Sequence, residues 1–91
     1  MQMRDKNYIV TGGSRGLGRA IVKALAANGA SVFSAQRNAA DGIDNANVQN
    51  FSVDLRDRVS IEGFCRQMPG QVHGVVGNAG LLGDICQIED G

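Results

Sequence analysis

An α/β fold is predicted by this sequence: a doubly wound parallel sheet with strands in the spatial order 3-2-1-4 and helices on both faces. Three observations predict it. Short apolar runs that read as buried strands alternate with stretches of helical period. A glycine-rich turn, Thr11-Gly12-Gly13-Ser14-Arg15-Gly16-Leu17-Gly18, joins the first strand to the first helix. A single helix separates the first two strands, so they should pair in parallel through a right-handed crossover.

In chain order, residues 7–11 read as the first strand, with the apolar run Tyr8-Ile9-Val10 closed by Thr11. Residues 16–28 read as the first helix, because Leu17, Ala20, Ile21, Ala24 and Leu25 recur at helical spacing. Asn28-Gly29 ends it, with Gly29 suited to the left-handed position after the last turn. The apolar face is rich in Ala, which lets the helix sit close to a sheet. Ser31-Val32-Phe33-Ser34-Ala35 reads as the second strand and runs into Gln36-Arg37-Asn38. Residues 38–47 are turn-rich without helical period, and predict a loop or at most one helical turn. Val48 to Val53 alternates and reads as the third strand. A helix over residues 58–68 follows, with Val59, Ile61, Phe64, Cys65 and Met68 on one side, Asp57 as its cap and Pro69-Gly70 as its stop. Gly74-Val75-Val76-Gly77 reads as a fourth strand lying at an open edge of the sheet. It enters Asn78-Ala79-Gly80, after which no period is evident.

Length and composition bound the function. The sequence of 91 residues suffices for one small domain, 1–91, with no second domain. Nine basic and nine acidic side chains balance to zero formal charge, and no basic run or aromatic platform points to nucleic acid. The hydrophobic share, 43%, is ordinary, and no apolar run approaches membrane-spanning length. The first residues precede too short an apolar run for a secretory signal, so the cytoplasm is the expected location. There, Cys65 and Cys86 are expected to be reduced thiols. One His and no metal-type spacing argue against a metal site. His73 reads as a solvated or hydrogen-bonded loop residue.

The glycine turn carries the chemistry. At a strand-to-helix junction, glycines tolerate positive φ, and the first helical N–H groups lack intrahelical partners. With the helix dipole these groups make a site for phosphate or pyrophosphate. The long dinucleotide fingerprint G-x-G-x-x-G fails, since Ile21 stands at its third position when counted from Gly16 and Gly18. The nucleoside-triphosphate loop also fails: Arg19 replaces its Lys, and Ala20 replaces the hydroxyl that would hold magnesium. The pattern that fits is T-G-x-x-x-G-x-G. At the end of the second strand, an acidic residue would read the ribose 2′-OH of NAD, and an Arg would accommodate the 2′-phosphate of NADP. Here Gln36 and Arg37 stand, with no carboxylate before Asp41. Arg37 can pair with a phosphate in a charge-assisted bond.

With these residues the sequence resembles the short-chain dehydrogenase/reductase family, whose cofactor loop has the T-G-x-x-x-G-x-G form and whose fold is the Rossmann-type sheet. The resemblance covers nearly all of this sequence but only the N-terminal part of the family's fold. It implies that Gly12, Ser14, Arg15, Gly16, Leu17 and Gly18 hold the cofactor's pyrophosphate. Arg15, just before the second loop glycine, and Arg37 match positions that mark NADP users, so NADP is expected and NAD less so. Asp54 is implied to accept from the adenine amino group, and the backbone N–H of Leu55 to reach a ring nitrogen. Asn78, Ala79 and Gly80 match the family's N-N-A-G segment, whereas Gly77 stands where its first Asn would be.

The family's catalytic Ser, Tyr, Lys and helix-borne Asn lie further along its fold, and none can be carried over. The sole Tyr is Tyr8, with Gly12 four residues on, and the lysines are Lys6 and Lys23. Ser14 and Ser34 fall around the phosphate and ribose end. The resemblance therefore implies an NADP-dependent oxidoreductase passing hydride between nicotinamide and a carbonyl or alcohol carbon. Its partners would be a dinucleotide and a small-molecule substrate, with neither nucleic acid nor membrane. These 91 residues are expected to be a truncated, catalytically silent portion of it. Oligomerisation stays possible, although the family's usual dimer helices fall outside this stretch. The alternatives are a non-catalytic dinucleotide sensor module and a non-binding scaffold fragment.

Overall fold

Strand β1 (Asn7–Thr11) lies inside the sheet because both of its faces are apolar: Ile9 and Val10 are each fully buried. Successive strand residues point to opposite faces, so burial of both requires cover on both sides. In the computed structural model, which describes residues 4–12 and 16–77, that cover is helical. The other elements are α1 (Gly16–Ala27), β2 (Ser31–Gln36), a 3₁₀ turn (Ala39–Asp41), β3 (Val48–Ser52), α2 (Arg58–Arg66) and β4 (Gly74–Val76). The strands lie in the order β3-β2-β1-β4, and every pair is parallel. Val10 stands opposite Ser34 on one side and Val76 on the other, and Ala35 stands opposite Phe51. The predicted order and direction are those observed, and among the described residues β4 is an edge.

The two faces form two cores. Ile9, Phe33, Ala35 and Val53 pack against Ile61 and Phe64 of α2. Phe51 meets the Phe64 ring edge-on at 5.1 Å, a favoured aromatic geometry. On the other face, Val10, Val32 and Val48 pack against Val22 and Ala26 of α1. Helices on both faces are what doubly wound means, and each core is built from one parity of strand residues.

Helix α1 sits rotated from its predicted face, whereas α2 docks by the predicted one apart from Val59. On α1 the buried residues are Val22 and Ala26, flanked by Ile21 and Leu25. Ala20 and Ala24 face outward, and Leu17 is 77% exposed. Of the predicted face of α2, Ile61 and Phe64 are buried and Cys65 and Met68 pack beside them, but Val59 is 75% exposed. The start of α2 and the end of α1 follow the sequence, while α2 ends at Arg66, short of the predicted stop at Pro69-Gly70. Asp57 caps α2 by accepting from the Val59 N–H at 3.0 Å. Gly29 has φ 91, and the N–H groups of Gly29 and Ala30 bond back to Ala26 and Leu25, a Schellman ending for α1.

The expectation of reduced thiols is corrected at Cys65, which is disulfide-bonded. Composition and spacing suggest a redox setting, but whether a thiol meets a partner depends on tertiary packing. Cys86, the chain's other cysteine, lies outside the described residues. His73 is a hydrogen-bonded residue: its Nδ1 accepts from the Asn7 N–H at 2.9 Å and its own N–H donates to Asn7 O at 2.7 Å, tying the entry of β4 to the start of β1.

Candidate functional site

In a parallel sheet the carboxyl ends of all strands lie at one edge, and the loops leaving them converge. Here β1, β2 and β3 end together: the Gly12 N–H donates to Ala35 O at 2.9 Å, and the Val53 N–H to Gln36 O at 2.8 Å. The loops beyond these bonds enclose an open cleft of about 490 Å³. Gly12 supplies one wall. Arg37 and Asn38 follow from β2, Asp54, Leu55 and Arg56 from β3, and Asp41 from the 3₁₀ turn. Ala35, Gln36 and Val53 form the floor.

Four of the sequence-predicted site residues meet in this cleft: Gly12, Arg37, Asp54 and Leu55. Gly12 has φ 69 and Gly16 φ 51, and among the described residues nothing crowds the space beside either Cα, so a ligand can approach the backbone there. Gly16, Leu17 and Gly18 form the first turn of α1 and do not line the cleft. Ser14, Arg15, Asn78, Ala79 and Gly80 lie outside the described residues. Gly77, the departure from the family segment, has φ 102, and a Cβ there would overlap the Thr11 hydroxyl. The backbone at this strand end suits glycine as it stands.

Gln36 occupies the ribose-reading position, but its side chain is held down. Its Oε1 accepts from Ser34 Oγ at 2.6 Å, and its Nε2 lies 3.5 Å from both Asn50 Oδ1 and Phe51 O. Ser34 and Gln36 point to the same face two residues apart and are both buried. Ser34 is therefore spent beneath Gln36 rather than lining the cleft, unlike its expected place near the ribose end. Asn50 continues the network by donating to Ile43 O at 3.0 Å. Ser52 Oγ accepts from the Ala39 N–H at 2.9 Å, and Asn38 caps the 3₁₀ turn through the Ala40 N–H at 3.1 Å. These tethers bring Asn38 and Asp41 to the cleft wall.

Asp54 is held by its successors. Its Oδ1 accepts from the Arg56 N–H at 2.9 Å and from Arg56 Nε at 3.3 Å, while its own N–H donates to Ser60 Oγ at 3.0 Å. The backbone bond from Arg56, then its guanidinium, with a smaller contribution from Arg37, holds the Asp54 carboxyl below its ordinary range. A carboxyl so lowered contributes stability above its unfolded pKa and loses it as pH falls through the folded value. The cleft thus carries two arginines and two carboxylates, one carboxylate already paired.

Sequence reasoning missed Asn38, Asp41 and Arg56 as cleft residues. The turn-rich composition of residues 38–47 marked a loop without giving its path, and Arg56 immediately follows the Asp54-Leu55 pair that was singled out.

A parallel sheet with its cleft over the carboxyl ends, bordered by a glycine turn after the first strand, defines a Rossmann-type α/β unit. The family model for short chain dehydrogenase matches residues 6–90, and the chain belongs to that family. It is 35% identical over 94 residues to a "probable oxidoreductase" of Streptomyces antibioticus, covering 90% of this chain and 31% of that one. It is 37% identical over 92 residues to the 3-oxoacyl-[acyl-carrier-protein] reductase FabG of Escherichia coli (strain K12), covering 92% and 38%. Among solved structures, a short-chain type dehydrogenase/reductase from Mycobacterium ulcerans superposes with a TM-score of 0.71 at 25% identity, over 82% of this chain and 32% of that one. The Pseudomonas aeruginosa RhlG/NADP active-site complex does so with a TM-score of 0.72 at 26% identity, over 85% and 35%. The chain spans about a third of the length of the relatives it matches. No helix among the described residues is long and apolar enough to cross a membrane.

Proposed function

We propose that this chain is the NADP(H)-binding N-terminal portion of a short-chain dehydrogenase/reductase that acts on a carbonyl or alcohol substrate. One observation carries the proposal: the fold gathers Gly12, Arg37, Asp54 and Leu55 into a single cleft at the carboxyl ends of three parallel strands. Ligands of open α/β sheets bind at such ends. A relative named as a reductase and a similar structure named as an NADP complex support it.

The residues fit the dinucleotide by their donor set and by the room they leave. Open backbone at Gly12 and Gly16 admits a pyrophosphate beside the start of α1. Arg37 pairs with a 2′-phosphate, and no carboxylate stands at Gln36 to repel it. The carboxylate of Asp54 accepts from the adenine amino group, and the Leu55 N–H donates to the ring. Ser14, Arg15, Asn78, Ala79 and Gly80, which lie outside the described residues, match the family's cofactor motifs in sequence. When bound, the nicotinamide supplies the hydride chemistry; the residues of this chain bind and orient its adenosine half. The acid/base groups of the reaction lie outside these 91 residues. Calorimetric titration of the intact protein with NADPH and NADH tests the proposal: saturable binding with NADPH favoured supports it, and binding of neither overturns it.

A further inference from the structure

We infer that Arg56 is a positioning residue for base recognition: it clamps one oxygen of the Asp54 carboxylate and turns the other toward the base of the bound dinucleotide. This rests on the proposed adenosine site.

The geometry is that of a clamp from one residue. The Arg56 N–H and Nε both bond to the same oxygen, Oδ1, at 2.9 and 3.3 Å. The Asp54 N–H is fixed to Ser60 Oγ at 3.0 Å, and Asp54 O accepts from the Asp57 N–H at 3.0 Å. Backbone and carboxylate of Asp54 are therefore both fixed before a ligand arrives. Among the described residues Oδ2 takes no hydrogen bond, although Asp54 lines the cleft. An ionised carboxylate only accepts, so this free oxygen selects a donor on the base edge. An exocyclic amino group satisfies it; a carbonyl at the same place sets two acceptors against each other. Arg56 is exposed enough to pay little desolvation, with its side chain 75% accessible, and the cleft also holds Arg37, so Arg56 is not required as the phosphate partner. A surface ion pair of this kind adds little to stability. Its consequence is orientation: without the guanidinium, the backbone bond alone holds Oδ1, and the carboxylate can rotate.

The test compares NADPH with its hypoxanthine analogue, in which a carbonyl replaces the amino group, on the intact protein by calorimetry. The wild type should prefer NADPH by about tenfold or more, the scale of one hydrogen bond to a charged group. R56Q keeps the backbone bond and should cut that preference about three- to fivefold, mainly through weaker NADPH binding, with R56K in between. D54N should abolish the preference, and in the D54N background R56Q should change nothing further. Equal weakening of both ligands by R56Q, an undiminished preference, or an effect that adds to D54N would each overturn the role of Arg56 while leaving the cofactor site standing. A wild type that binds neither ligand would overturn the site itself, and the clamp with it.

Discussion

Removing the Ser34 hydroxyl should cost more than an ordinary serine is worth, because its partner is buried with it. Ser34 is 1% exposed and Gln36 6%, and the bond from Ser34 Oγ to Gln36 Oε1 is short at 2.6 Å. The other contacts of the Gln36 amide, at 3.5 Å, run from Nε2 and cannot replace a donor to Oε1. Ser34→Ala leaves that acceptor dry and unpaired, a penalty of about 1–3 kcal/mol. Gln36→Met leaves the Ser34 hydroxyl unpaired at a comparable cost of about 1–3 kcal/mol. The double variant removes both polar partners while nearly keeping their volume, so it should lose about 1 kcal/mol or less. The coupling between the two sites should therefore be about 1 kcal/mol or more. Urea unfolding of the intact protein measures it: Ser34→Ala should lower the midpoint by roughly 0.5–1.5 M at unchanged slope. A loss under about 0.5 kcal/mol for Ser34→Ala, or single losses that simply add, would refute a buried Ser34–Gln36 pair.

Phe64→Ala should cost about 3–5 kcal/mol in the same unfolding measurement, since it empties the centre of the core beneath α2 and removes the edge-on contact with Phe51. Asp57→Ala should cost about 1 kcal/mol by uncapping α2, and Asp57→Ser should recover most of it. Asp41→Asn should tighten NADPH binding about two- to fivefold in calorimetry and leave NADH less affected, because it removes a carboxylate from the wall shared with Arg37.

Strand positions and sheet order were legible because the strands are short apolar runs, or in β3 an alternating one, and the crossovers allow one hand. The start of α2 and the end of α1 were legible too, since Asp57, Asn28 and Gly29 mark them chemically. The rotation of α1 was not. The α1 segment carries Leu17, Ala20, Ile21, Val22, Ala24, Leu25 and Ala26, and two overlapping stripes of this set satisfy a helical period. Only docking on Val10 and Val32 selects the stripe through Val22 and Ala26. In the cleft, Arg37, Asp54 and Leu55 were legible because they follow strand ends directly. Asn38 and Asp41 were not, because a loop's path depends on tethers such as Ser52 Oγ to the Ala39 N–H, which no local pattern announces. The burial of Gln36 was equally hidden, since it depends on a register that sets Ser34 opposite Asn50.

Whether Arg37 reads a 2′-phosphate is the most direct test of the account. The measurement is the calorimetric affinity of the intact protein for NADPH and for NADH, before and after Arg37→Ala. Loss of a charge-assisted bond of about 1.5–3 kcal/mol should weaken NADPH binding by roughly 10- to 100-fold. NADH, which has a hydroxyl in place of that phosphate, should change by no more than about twofold. An equal loss for both cofactors, or no loss for either, would contradict the assignment of this cleft as an NADP site read by Arg37.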